Sequence, residues 1–128
     1  MILSKKDLKG NQILKEEGTF EFKITKFEEV TPQDYCIYKF NCETNDGRYL
    51  IGSFFMDEKS LWKFNKLTTA LGYTEDMLDG RDAKEVAEEL IGKKFNGKVI
   101  KKVKNKVNAE TGEEEEISYY EISTFDKL

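Results

Sequence analysis

Three strand-like stretches, a helical region and two further strand-like stretches predict a mainly β domain: five antiparallel strands closed into a small barrel, with one or two helices between strands three and four. Apolar and polar residues alternate around residues 20, 38 and 99, the mark of half-buried strands. Helical spacing appears only between residues 57 and 92, and glycine-containing turn signals separate the stretches.

The first strand follows Gly18. In TFEFKITKFEEV, Phe20, Phe22 and Ile24 alternate with Thr19, Glu21, Lys23 and Thr25. Phe27 then breaks the phase, so a bulge near Lys26 is expected to restore the register and sharpen the bend. In YCIYKFNCE the even residues Cys36, Tyr38, Phe40 and Cys42 form the predicted core face. Asp46-Gly47 reads as a hairpin turn, because both residues tolerate positive φ. The third strand, RYLIGSFFM, is apolar on both faces, and Gly52 in its middle implies a bulge, a bend or a close backbone approach.

A helix is expected where Leu61, Phe64, Leu67 and Leu71 recur at helical spacing, with Asp57 as N-cap and Gly72 just past its end. Trp62, on the flank of that stripe, is expected to pack in the core. A helical turn starting at Thr74 and a second helix using Val86, Ala87, Leu90 and Ile91 precede Gly92.

The fourth strand is KKFNGKVIKKVKNKV, residues 93–107, with seven lysines and no acid. Phe95, Val99, Val103 and Val107 form its predicted core face, and Lys94, Lys98, Lys102, Lys104 and Lys106 the other. The turn in NAETGEEEE leads to the fifth strand, ISYYEISTF. Across this hairpin the acids Glu113 to Glu116 are expected to screen Lys102, Lys104 and Lys106. Five strands with the helices between the third and fourth is the arrangement of the OB-fold; SH3-like and Sm-like barrels place the helix elsewhere or lack it. Residues 18–128 are expected to form this single domain and residues 1–17 an N-terminal arm.

Composition narrows the function. The chain lacks histidine, the commonest general base, and no carboxylates fall into a catalytic motif. Neither Walker nor dinucleotide glycine spacing occurs. The expectation is a non-enzyme with no cofactor and no metal site. Cys36 and Cys42, six residues apart on one strand, would lie roughly 20 Å from each other and are read as free thiols of a reducing compartment. No secretory signal and no apolar run long enough for a membrane span is present, which points to a cytoplasmic protein with no membrane partner.

The net charge is −4, so with the seven lysines of residues 93–107 set aside the rest of the chain carries −11. A lysine-rich edge can simply discourage strand pairing. That purpose needs one or two charges, whereas alternate lysines roughly 7 Å apart repel one another within the roughly 8 Å Debye length of physiological salt. A polyanion relieves that repulsion and releases counterions on binding. Single strands additionally need aromatic platforms. Tyr35, Tyr49, Phe55 and one of Tyr119 or Tyr120 are left off the predicted core, and Arg48 and Lys39 would extend the groove. No helix carries a basic stripe, which disfavours groove reading by a helix.

LKEEGTFEFKI, YKFNCETNDGRYL, FFMDEKSLWKFNKLTTALG and LIGKKFNGKV together resemble a family of small phage-encoded proteins of unassigned function that are similar to single-stranded DNA-binding proteins. The resemblance spans roughly residues 14 to 107. It rests on Gly18 before an alternating strand, Gly47-Arg48, Leu61-Trp62, Ala70-Leu71-Gly72 and Leu90-Ile91-Gly92. It implies a sequence-independent single-stranded DNA-binding protein of phage replication or recombination, acting in the host bacterial cytoplasm with phage or host replication proteins as partners. The turn joining strands two and three is tighter than the family's. The chain ends STFDKL, unlike the acidic tail of bacterial single-strand binders. Homo-oligomerisation is left open. The competing reading is a protein-interaction module, such as a phage inhibitor of a host factor, that binds through its acidic surface.

Overall fold

The computed structural model describes residues 12–32 and 34–128. Five antiparallel strands form one sheet: β1 (Gly18–Val30), β2 (Ile37–Thr44), β3 (Tyr49–Phe55), β4 (Lys94–Val107) and β5 (Glu114–Asp126). Between β3 and β4 lie three helices, α1 (Leu61–Ala70), α2 (Glu75–Leu78) and α3 (Ala83–Glu89). The sheet order β3-β2-β1-β4-β5 and the helix position are those of the OB-fold arrangement.

β1 serves two neighbours. Its residues 18–23 pair with β4, and its residues 22–30 pair with β2. The register shifts between Ile24 and Lys26, where Thr25 is the extra residue. That bulge returns Phe27 to the inner face opposite Phe40, as its phase predicted, and turns the sheet on itself. The two sheet edges, β3 and β5, meet through Phe54 and Phe125, whose ring centroids are 5.6 Å apart. Among the described residues no backbone ladder joins them.

The core is aromatic. Phe22 stacks on Phe95, and Phe64 of α1 reaches Tyr38, Phe40 and Phe54 to close the barrel interior from the helical side. The even face of β2 is buried, as expected. Gly97 makes this packing possible: a Cβ there would sit 2.9 Å from both Ile122 and the Phe22 ring. Gly52 opens similar room, its added Cβ lying 3.3 Å from the Phe54 ring. Gly72 ends α1 at φ +94°, and Tyr73 N–H donates to the Thr68 carbonyl (3.0 Å) across it.

The structure departs from the sequence reading at several points, including Leu61 and Ile91 of the predicted helical stripes, both of which are exposed. Leu14, in the segment placed ahead of the domain, is fully buried, and residues 12–14 run alongside Tyr49 with Leu14 N–H donating to its carbonyl at 2.9 Å. The rest of the predicted arm, residues 1–11, lies outside the described residues. Trp62, expected in the core, is 59 % exposed, because Phe64 and Leu67 turn α1 the other way. Asp57 caps a turn ahead of α1 by accepting from Ser60 N–H (2.9 Å), and Ser60 is the helix N-cap. Val103 and Val107, expected on the core face of β4, are 52 % and 60 % exposed. β1 begins at Gly18 opposite Val99, so among the described residues β4 has only β5 beside it beyond that point. Residues 100–107 and 114–121 instead project as a two-stranded arm.

Candidate nucleic-acid interface

The outer faces of β1, β2 and β3 enclose an open trough of about 750 Å³. Its walls come from cross-strand neighbours: Lys26 opposite Asn41, Glu28 opposite Lys39, Lys39 opposite Ser53, Asn41 opposite Ile51, and Glu43 opposite Tyr49. Asn41 donates to the Thr25 hydroxyl (2.6 Å), which fixes the amide at the bulge. Of the residues proposed from sequence, Lys39 and Tyr49 line this trough.

Phe55 lies two positions beyond Ser53 on the same face, opposite Ile37. Tyr35, in the β1–β2 loop, meets it with ring centroids 5.8 Å apart at 41°. Both rings are exposed, at 43 % and 46 % for Tyr35 and Phe55. Two aromatic rings paired at the surface beside a lysine-bearing trough present π-faces that a base can use.

The lysines occupy the adjoining outer face of β4. Lys94 stands opposite Lys23. Together with Thr25 and Glu43 these two line a hollow of about 210 Å³ that shares those last two residues with the trough. Lys94 is 4.0 Å from Glu21. Lys98, Lys102, Lys104 and Lys106 continue the ridge along the arm. Lys102 is paired with Glu121 at 2.5 Å, which raises its pKa. Lys104 lies over the Tyr119 ring at 5.5 Å, which places Tyr119 on the lysine side of the hairpin. Lys98, Lys104 and Lys106 form no ion pair among the described residues.

The acidic tract screens less of this ridge than expected. The register sets Glu115 opposite Lys106, while Lys104 faces Ile117 and Lys102 faces Tyr119. Glu114 and Glu116 alternate to the other face of the hairpin, opposite Val107 and Asn105.

Arg48 stands apart from the ridge. Its guanidinium donates to Glu16 (2.8 Å) and Asp46 (3.0 Å) and lies over Phe20, and the hydrogen bonds to Glu16 and Asp46 raise its pKa. It holds the β2–β3 turn to the N-terminal segment.

Lys26, Asn41 and Ile51 belong to the trough but escaped sequence reading. Lys26 carried a signal, since the bulge that sends Phe27 inward sends its neighbour outward. Lys63 carried none. From α1 its ammonium donates to the Ser53 carbonyl (3.2 Å) over the Phe54 ring, tying α1 to β3. Burial lowers its pKa, while Glu121 opposes that shift and Lys102 adds to it.

No helix among the described residues is long and apolar enough to cross a membrane. A scan against protein-family models gives no match for this sequence, and a search of curated proteins gives none at a significant level.

Proposed function

We propose that this protein binds single-stranded DNA without sequence preference, in replication or recombination. One observation carries the reading. A continuous outer surface runs from the exposed Tyr35–Phe55 pair across the trough and through the Lys23–Lys94 hollow to the lysine ridge of β4. The trough contributes little net charge, since Lys26 and Lys39 are matched by Glu28 and Glu43. Bases are therefore held there by stacking and hydrogen bonding, and phosphates along the ridge by Lys94, Lys98, Lys104 and Lys106.

The test is titration of a labelled oligo-dT strand and a duplex of equal length at several salt concentrations. Four neutralised phosphates give a slope of log affinity against log salt near −3, at about −0.7 per contact. Stacking makes the single strand the tighter ligand. Binding that stays flat between about 50 and 200 mM salt removes the ridge from the mechanism. Absence of binding at low salt would favour a protein contact through the acidic surface instead.

A further inference from the structure

The arm formed by residues 100–107 and 114–121 is not accounted for by the barrel. Beyond Tyr120, which packs against the core at its root, no sheet or helix among the described residues covers it, and an isolated two-stranded hairpin is at best marginally stable in water. Beyond Val99 the edge of β4 that faces away from β5 has no backbone partner among the described residues. The far edge of β5 has none either. The two edges differ sharply in charge: residues 100–107 carry Lys101, Lys102, Lys104 and Lys106 with no acid, and residues 114–121 carry Glu114, Glu115, Glu116 and Glu121 with no base.

We propose that the arm is a contact between copies of this chain, in which the basic β4 edge of one copy pairs with the acidic β5 edge of the next. Strand polarity agrees with charge. β5 runs antiparallel to β4, so a neighbouring copy set beside the first in the same orientation offers its β5 antiparallel to the free β4 edge. Pairing two β4 edges would oppose four lysines to four lysines, and pairing two β5 edges would oppose glutamates to glutamates. Like charges directly across a ladder are destabilising, so both symmetric arrangements are disfavoured. The contact that remains is head-to-tail, and it generates a ring or an open chain of copies rather than a closed dimer. Val103 and Val107, left bare on a single arm, add β-branched side chains to one face of the enlarged sheet. The contact rests on edge pairing and charge; it shares Lys104 and Lys106 with the proposed phosphate ridge, and nucleic-acid-free protein tests it apart from that reading.

The experiment is sedimentation velocity on nucleic-acid-free protein over a hundredfold range of concentration, at about 50 and about 500 mM salt. Three proteins are compared: wild type, the triple substitution Lys102→Glu, Lys104→Glu, Lys106→Glu, and the triple substitution Glu114→Lys, Glu115→Lys, Glu116→Lys. Wild type should grow beyond a dimer as concentration rises at low salt and dissociate at high salt. Each variant alone should associate at least tenfold more weakly. An equimolar mixture of the two variants should associate again, because one brings acidic edges and the other basic ones, and arms that had merely lost their structure would not recover in this way. Wild type that remains monomeric throughout, stops at a dimer, or associates no better than the single variants would overturn the proposal. So would a mixture that stays as dissociated as its components.

Discussion

Phe55→Ala isolates the stacking half of the proposed interface. The Phe55 ring is 46 % exposed and its one aromatic neighbour is Tyr35, 5.8 Å away between centroids. Truncating a fully buried phenylalanine costs about 3–5 kcal/mol, so a half-exposed one costs roughly half as much. From a typical domain stability of about 5–15 kcal/mol, such a loss leaves the chain overwhelmingly folded at 25 °C. Any fall in affinity then reports the surface and not unfolding. Loss of a stacked base is worth about 1–3 kcal/mol. That weakens binding by roughly 5- to 150-fold, at about 1.4 kcal/mol per decade. The assay is fluorescence anisotropy of labelled oligo-dT across a salt series, with a melting curve on the same preparation. A stacked base releases no counterion, so the salt slope should match wild type while the whole line drops. Phe55→Leu keeps apolar bulk without a ring and should lose binding like alanine while keeping more stability. An affinity within twofold of wild type would refute the stacking role, and a shallower slope would show that the ring acts only by placing lysines.

Lys98→Gln with Lys106→Gln removes two ridge charges that form no ion pair among the described residues. The salt slope should become shallower by about 1.4, with stability changed by no more than about 0.5 kcal/mol. Gly97→Ala should lower the melting temperature: overpacking Ile122 and Phe22 at 2.9 Å costs about 1–3 kcal/mol, against an unfolded-state gain of about 0.4–1, and a raised melting point would contradict the close approach. Trp62→Ala should cost under about 1 kcal/mol, since Lys66 over its ring is a surface contact, and the native emission should resemble exposed indole and be readily quenched by acrylamide. Burial pushes the Cys42 thiol from 9.0 up to about 12, so between those values the native chain keeps a proton that the unfolded chain releases. Stability therefore falls as pH rises through that window, and at neutral pH a thiol reagent should label Cys36 well before Cys42.

Local signals in the sequence were strong where one strand or one turn decides the outcome. The phase slip at Phe27 located the bulge, the even face of β2 went inward, and Gly72 stopped α1. Periodicity failed where the outcome depends on where a neighbour ends. It put Val103 and Val107 on the same face as Val99, which is right, but could not show that β1 starts opposite Val99. Leu14 belongs to an isolated apolar pair, Ile13-Leu14, followed by charge and has no period to betray it, yet a partner 35 positions away holds it in the core. The candidate site divides in the same way. Exposure of Tyr35 and Phe55 was readable from alternation, whereas their meeting and the linkage of Lys94 to the trough depend on which strands adjoin. Arg48 shows the converse: a basic residue beside a glycine turn looks free in sequence and is held by Glu16 and Asp46 in space.

The acidic remainder of the chain limits how the ridge can work. Residues 75–89 hold seven acids against Arg81 and Lys84, and of those acids Glu85 and Glu89 are engaged by Arg81. A polyanion approaching from several Debye lengths meets a molecule of net charge −4, so long-range attraction contributes little to the encounter. Complexes without such steering associate at about 10⁵–10⁶ M⁻¹s⁻¹, far below the roughly 10⁸–10⁹ of steered ones. On the proposed reading, affinity must then come from slow release. The parts that act at contact distance are suited to that: lysines that shed counterions only when a phosphate touches them, and rings that stack only once a base has arrived. Contacts between arms would act in the same direction, because a copy joined to its neighbours stays on the strand when its own grip fails. The lysine ridge is thus a means of holding a strand already met, in a molecule whose overall charge gives it no means of drawing one in.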